Sequence, residues 1–60
     1  MNALNLVANF VLNPLIIGAV GAGIAINHGN SAKSGFLIGA LLGVVYTIWA
    51  AFNGFVAPIL

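Results

Sequence analysis

The sequence predicts an all-α, membrane-type helical hairpin: two long apolar helices joined by a short polar loop, with the first helix kinked or broken at Pro14. Three observations carry this. The 60 residues include no Asp or Glu, and the only Lys or Arg is Lys33. Hydrophobic residues make up 63 % of the chain and charged residues 2 %, where a water-soluble domain carries roughly a quarter of its residues as charges. Finally, Lys33 and the single histidine, His28, share one polar stretch at mid-chain, Asn27-His28-Gly29-Asn30-Ser31-Ala32-Lys33-Ser34. A lone polar break between two apolar halves reads as the turn of a hairpin, and residues 1–60 as a single helical-hairpin domain.

The first arm covers residues 2–27 in two pieces. Asn2, Asn5, Asn9 and Asn13 recur at helical spacing and fall on one face, with Leu4, Val7, Phe10 and Val11 on the others. Proline in a helix interior removes a hydrogen bond and clashes with the preceding turn, yet it is tolerated at a first helical position. Asn13-Pro14 therefore predicts a kink, or an N-cap followed by a new start. The expected elements are an amphipathic helix near 2–12, asparagines toward water, and a more apolar helix near 14–27. The second piece alone is about 21 Å long at 1.5 Å per residue, short of a bilayer core of roughly 30 Å, so both are needed to span. Met1 to Asn5 has no positive charge, and the apolar stretch from Leu4 to Ile26 outruns a signal-peptide core, so no cleaved signal peptide is expected within this numbering.

The loop is expected at 28–34 and the second helix at about 35–57, roughly 34 Å and long enough to cross a bilayer. Ser34, or Ser31 a turn earlier, serves as its N-cap, and Pro58 ends it. Gly35, Gly39, Gly43, Thr47 and Ala51 place a small residue at every fourth position. In lipid, such a row lets another backbone approach closely. Gly18, Gly21, Ala22 and Ala25 form a second small patch on the first arm. The two patches meet either inside one hairpin or between neighbouring copies; the sequence leaves both open. Tyr46 and Trp49, with Phe52 and Phe55, cluster toward the far end and read as an interfacial aromatic belt. Packing between subunits and a pigment or quinone platform are the competing readings.

Composition excludes several functions. Without cysteine there is no disulfide, thiolate metal site or redox motif. One net positive charge gives no footprint for nucleic acid, which needs many cations to displace counterions. Proton relays in membranes ordinarily need an intramembrane carboxylate, and Ser31 and Ser34 have none to complete a triad. No catalytic residue, metal ligand set or cofactor site is expected, and the chain is not expected to be an enzyme. His28 reads as a loop histidine facing solvent or headgroups; as a ligand to a metal or chlorin it would stand alone. Lys33 sits where a lysine can snorkel to the interface and pair with a lipid phosphate. As a topology signal it places the loop in the cytoplasm.

The order of elements is an Asn-rich opening helix closed by Phe10-Val11-Leu12-Asn13-Pro14, a Gly/Ala-rich apolar arm from Leu15 to Ile26, a short loop with a lone cation, and a Gly-spaced arm from Gly35 to Val56. This arrangement resembles the mature pilins of type IV secretion and conjugation systems, including archaeal DNA-import pilins. The resemblance implies a subunit that leaves the membrane to polymerise into a hollow helical filament outside the cell, each copy holding phospholipid. It would place His28 and Lys33 at the lumen near lipid headgroups, and would let DNA pass through the lumen without sequence-specific binding. Two other classes fit the composition: a two-helix accessory subunit of a photosynthetic or respiratory membrane complex, and a holin- or bacteriocin-like membrane peptide. The last is disfavoured by the missing basic amphipathic face.

Overall fold

The computed structural model describes residues 2–60; Met1, where the expected domain begins, lies outside the described residues. Two helices account for most of the chain, α1 over Ala3–Asn27 and α2 over Ala32–Asn53. They pack antiparallel as a hairpin with overall dimensions of 41 × 19 × 12 Å. The all-α hairpin expected from the charge pattern is the observed fold.

Helix α1 begins at Asn2, whose side-chain Oδ1 accepts from Leu4 N–H at 2.9 Å. This is an N-cap that satisfies one of the open donors of the first turn. The helix then runs as one 25-residue element through Pro14, so the expected division into 2–12 and 14–27 does not occur. The reason is tertiary. Proline cannot donate to the carbonyl of Phe10, but it lies inside the contact between helices. A Cβ built on Gly43 would fall 2.5 Å from Pro14 Cα and 2.8 Å from Pro14 N. Glycine at 43 lets α2 approach the α1 backbone at Asn13 and Pro14, and packing against α2 holds the chain helical across the proline, as neighbouring helices do for prolines in membrane bundles.

The turn is tighter than the expected 28–34. Gly29, at φ +76°, ends α1. Asn30 N–H donates to Ala25 O at 2.7 Å and Gly29 N–H to Ile26 O at 3.0 Å, the paired bonds of a Schellman motif. Helix α2 starts three residues earlier than expected, with Ser31 at the cap position, though its side chain makes no capping bond. It also stops earlier than 57. The stop is Gly54, at φ +72°, rather than Pro58. Phe55 N–H closes the end by donating to Ala50 O at 2.9 Å. A left-handed glycine terminates the helix before proline can act.

The hairpin is inverted relative to a soluble protein. Ala50 is the one hydrophobic residue in its buried interior among the described residues, and the largest fully buried side chains are polar, Asn9 at 1 % and Thr47 at 0 % exposure. Leucines, isoleucines and valines lie exposed along both helices. Both helices are long and apolar enough to cross a membrane, and only 17 % and 22 % of their most apolar stretches are buried. A core helix of a soluble protein has the opposite distribution.

Candidate functional site

Four features occupy the hairpin: a glycine crossing, a buried polar ladder, a strap, and the cationic loop with an apolar groove beside it. The crossing settles where the small patches meet. A Cβ on Gly35 would strike Gly21 O and the Ala25 Cβ, and one on Gly21 would strike Gly35 O. A Cβ on Gly39 would meet Ile17 O and lie 2.8 Å from Gly18 Cα. One on Gly18 would lie 2.9 Å from the Phe36 ring. The predicted row Gly35, Gly39, Gly43 therefore faces Gly18, Gly21 and Ala25 within one hairpin. Backbones in such contact gain dispersion, and glycine Cα–H groups point at facing carbonyls. The row continues through Thr47, but at its end the buried residue is Ala50, with Ala51 and, on the other arm, Ala22 only half-buried.

The polar ladder was not legible from composition. Of the asparagine face expected toward water, Asn2 stays exposed at the N-cap, while Asn5, Asn9 and Asn13 are turned inward. Asn13 Nδ2 donates to Thr47 Oγ1 at 3.0 Å, and Thr47 Oγ1 donates to Gly43 O at 2.8 Å. Asn13 Nδ2 also reaches Asn9 Oδ1 at 3.4 Å. Asn9 Nδ2 donates to Asn5 O at 2.9 Å and to Ala57 O at 3.0 Å. Asn5 Nδ2 donates to the same Ala57 O at 2.9 Å. Its Oδ1 accepts from Ile59 N–H and Leu60 N–H at 2.8 and 2.9 Å. The burial has a physical cause. With apolar surface on every flank, carboxamides gain most by pairing inside the hairpin, because an unpaired polar group in an apolar surround costs several kcal/mol. Among the described residues, no buried side-chain nitrogen or oxygen lacks a hydrogen-bond partner.

The ladder fastens residues 55–60 as a non-helical strap across the opening of the hairpin. Beside it the aromatics form a short stack. Trp49 lies parallel to Phe55 with centroids 5.4 Å apart, and Tyr46 tilts against Trp49 at 6.1 Å. Trp49 and Tyr46 remain half-exposed, and Phe52 is 87 % exposed.

At the opposite end, His28 and Lys33 are both exposed. Lys33 occupies the first turn of α2, where the free N–H groups and the helix dipole already present positive potential. The C-terminal dipole end of α1 lies at the same end and opposes that of α2, so the net positive charge there is that of Lys33, with no carboxylate in the chain to offset it. An apolar groove of about 370 Å³ adjoins this end, lined by His28 and Asn30 together with Ile17, Ile24, Ile38 and Leu42.

No protein-family profile, no curated protein and no solved structure matches this chain. Sequence reasoning missed Asn5, Asn9 and Asn13 as interior groups, and took Thr47 for a small residue only. The available signal was the i, i+4 asparagine spacing within an otherwise apolar arm.

Proposed function

We propose that the chain is a structural subunit that self-associates from the membrane, in the manner of a pilin, into a hollow lipid-containing filament of a conjugation-like or DNA-transfer apparatus. One observation carries this reading. The hairpin's interior is filled by glycine backbone and carboxamides, while its large apolar side chains face outward on both helices. Continuous exposed apolar surface beyond a few hundred Å² is an interaction surface or is covered by lipid. The elongated form, 41 Å in its longest dimension, supplies that surface along its whole length.

Where copies meet differs from the simplest expectation. Both small-residue patches are used inside the hairpin, so contacts between copies fall to the bulky faces, such as Leu37, Leu41 and Val45 on α2 and Val7, Val11 and Leu15 on α1. The asparagine stripe does not supply a water-facing strip either. Support for a filament rests on the apolar exterior and on the pilin-like order of elements.

Phospholipid is the proposed companion. A cation in the first turn of a helix sits beside exposed N–H donors, and both favour an anion there. Repeated in a packed assembly, Lys33 needs counter-charge that the chain does not contain, and a lipid phosphate provides it. The groove beside His28 and Asn30 is the place for a tail. The role is structural, without catalysis, and DNA is the proposed cargo of a lumen lined by His28 and Lys33.

Electron microscopy of material purified without delipidation tests this, together with phosphorus analysis. Uniform hollow filaments with about one phospholipid per subunit are expected. A multi-chain particle with cofactors would favour the accessory-subunit reading, and isolated hairpins in micelles would end the filament reading.

A further inference from the structure

The strap formed by residues 55–60 is held in an unusual way. Of its side chains, Phe55 stacks on Trp49 and Val56 is half-buried, while Ile59 and Leu60 are exposed. The rest of the holding falls to the backbone. Ala57 O receives both Asn5 Nδ2 and Asn9 Nδ2, and Asn5 Oδ1 receives the N–H groups of Ile59 and Leu60. Asn5 and Asn9 thus form a buried seat that reads an extended backbone by its donors and acceptors. The strap joins α2 through Gly54 at φ +72°, a conformation side-chain-bearing residues rarely adopt.

We propose that this seat also receives the strap of a second copy of the chain, so that neighbouring hairpins exchange residues 55–60. A second copy is the occupant of choice because it carries the same carbonyl and N–H groups in the same register. Exchange leaves every seat hydrogen bond in place and leaves no carboxamide buried without a partner. Rotation at Gly54 redirects the strap; it releases the Phe55 N–H from Ala50 O and the Phe55 ring from Trp49, while Ile59 and Leu60 are already exposed. Exchanging an identical element between protomers is a low-cost route to association. The inference rests on the self-association proposed above. It adds a means of linking copies that uses hydrogen bonds, where the exposed flanks of both helices offer mainly apolar contact.

The experiment uses the full chain with a photo-reactive benzoylphenylalanine in place of Leu60, mixed one to one with ¹⁵N-labelled wild-type chain before assembly. After irradiation, cross-links from position 60 to the peptide containing residues 2–9 are sorted by isotope. Complete exchange pairs roughly half of the photo-reactive straps with heavy seats. Cross-links within light chains alone, in material that has assembled, overturn the exchange but leave self-association standing. Failure to assemble, read by microscopy on the same sample, sinks both. A second mixture uses heavy chain carrying Asn5→Leu, or Asn5→Ser if the first variant does not fold. Capture by heavy chains should then fall at least several-fold. Unchanged capture would mean that mere proximity of neighbours produces the cross-link, and the proposal would be wrong.

Discussion

Replacing Gly39 with alanine adds one methyl group where the two backbones meet. The new Cβ would collide with the Ile17 carbonyl oxygen and lie 2.8 Å from Gly18 Cα. Ordinary contact begins at 3.4 Å, so the Gly18 contact alone is about 0.6 Å too short, and both obstacles are backbone. They yield only if the helices separate, which also loosens the neighbouring contacts at Gly21 and Gly35. Overpacking of this kind costs about 1–3 kcal/mol, whereas alanine in place of glycine favours a helix by up to about 1 kcal/mol. Gly23→Ala isolates the second effect, because Gly23 has nothing within 4 Å of its Cβ position. Helix propensity cancels between the two variants. Gly39→Ala should therefore be less stable than Gly23→Ala by about 1–3 kcal/mol, with each 1.4 kcal/mol a factor of ten in the opening equilibrium. The single tryptophan makes this measurable. Energy transfer from Trp49 to an acceptor on Val11→Cys, in a chain with no other cysteine, reports hairpin opening during denaturation in micelles. Helical content, followed separately by circular dichroism, should change little, and Gly39→Leu should open the hairpin outright while both helices still insert. If Gly39→Ala proves as stable as Gly23→Ala, the glycine crossing has no packing role.

Three further outcomes follow from the same geometry. Thr47→Val keeps the shape but leaves Asn13 Nδ2 with only its 3.4 Å partner, so the hairpin should lose roughly 1–3 kcal/mol in the same opening assay. Thr47→Ser, which retains the hydroxyl, should lose less. Pro14→Ala restores an N–H able to bond the Phe10 carbonyl and removes a residue that costs about 3 kcal/mol in an isolated helix interior. Stability should rise with α1 still a single helix; a fall would show that contacts of the proline side chain outweigh the missing bond. Lys33→Glu places a carboxylate in the first turn of α2, which favours the helix by about 0.3–1 kcal/mol. The same change should lower the phospholipid recovered per subunit and impair assembly or passage of an anionic cargo. Unchanged lipid content would remove Lys33 from the headgroup site.

The sequence by itself determined the class of fold, because its causes are local and additive. Apolar runs of helix length on either side of one polar stretch leave no other way to satisfy the backbone in an apolar surround. Spacing alone also determined that Gly35, Gly39 and Gly43 share a face, since helical periodicity is a property of the chain. What such periodicity cannot express is the partner of a face. The tertiary structure decided that the glycine row meets Gly18 and Gly21 of the same chain, and that α1 stays helical through Pro14, against whose backbone Gly43 packs. It also decided the direction of the asparagines. A carboxamide stripe is equally consistent with water outside and with a polar interior. The choice turned on acceptors and donors brought from far along the chain, the hydroxyl of Thr47, the carbonyl of Ala57 and the N–H groups of Ile59 and Leu60. Hydrogen bonds across 34 to 55 residues of sequence are fixed only when the hairpin closes, and it is closure that turns a polar face into a core.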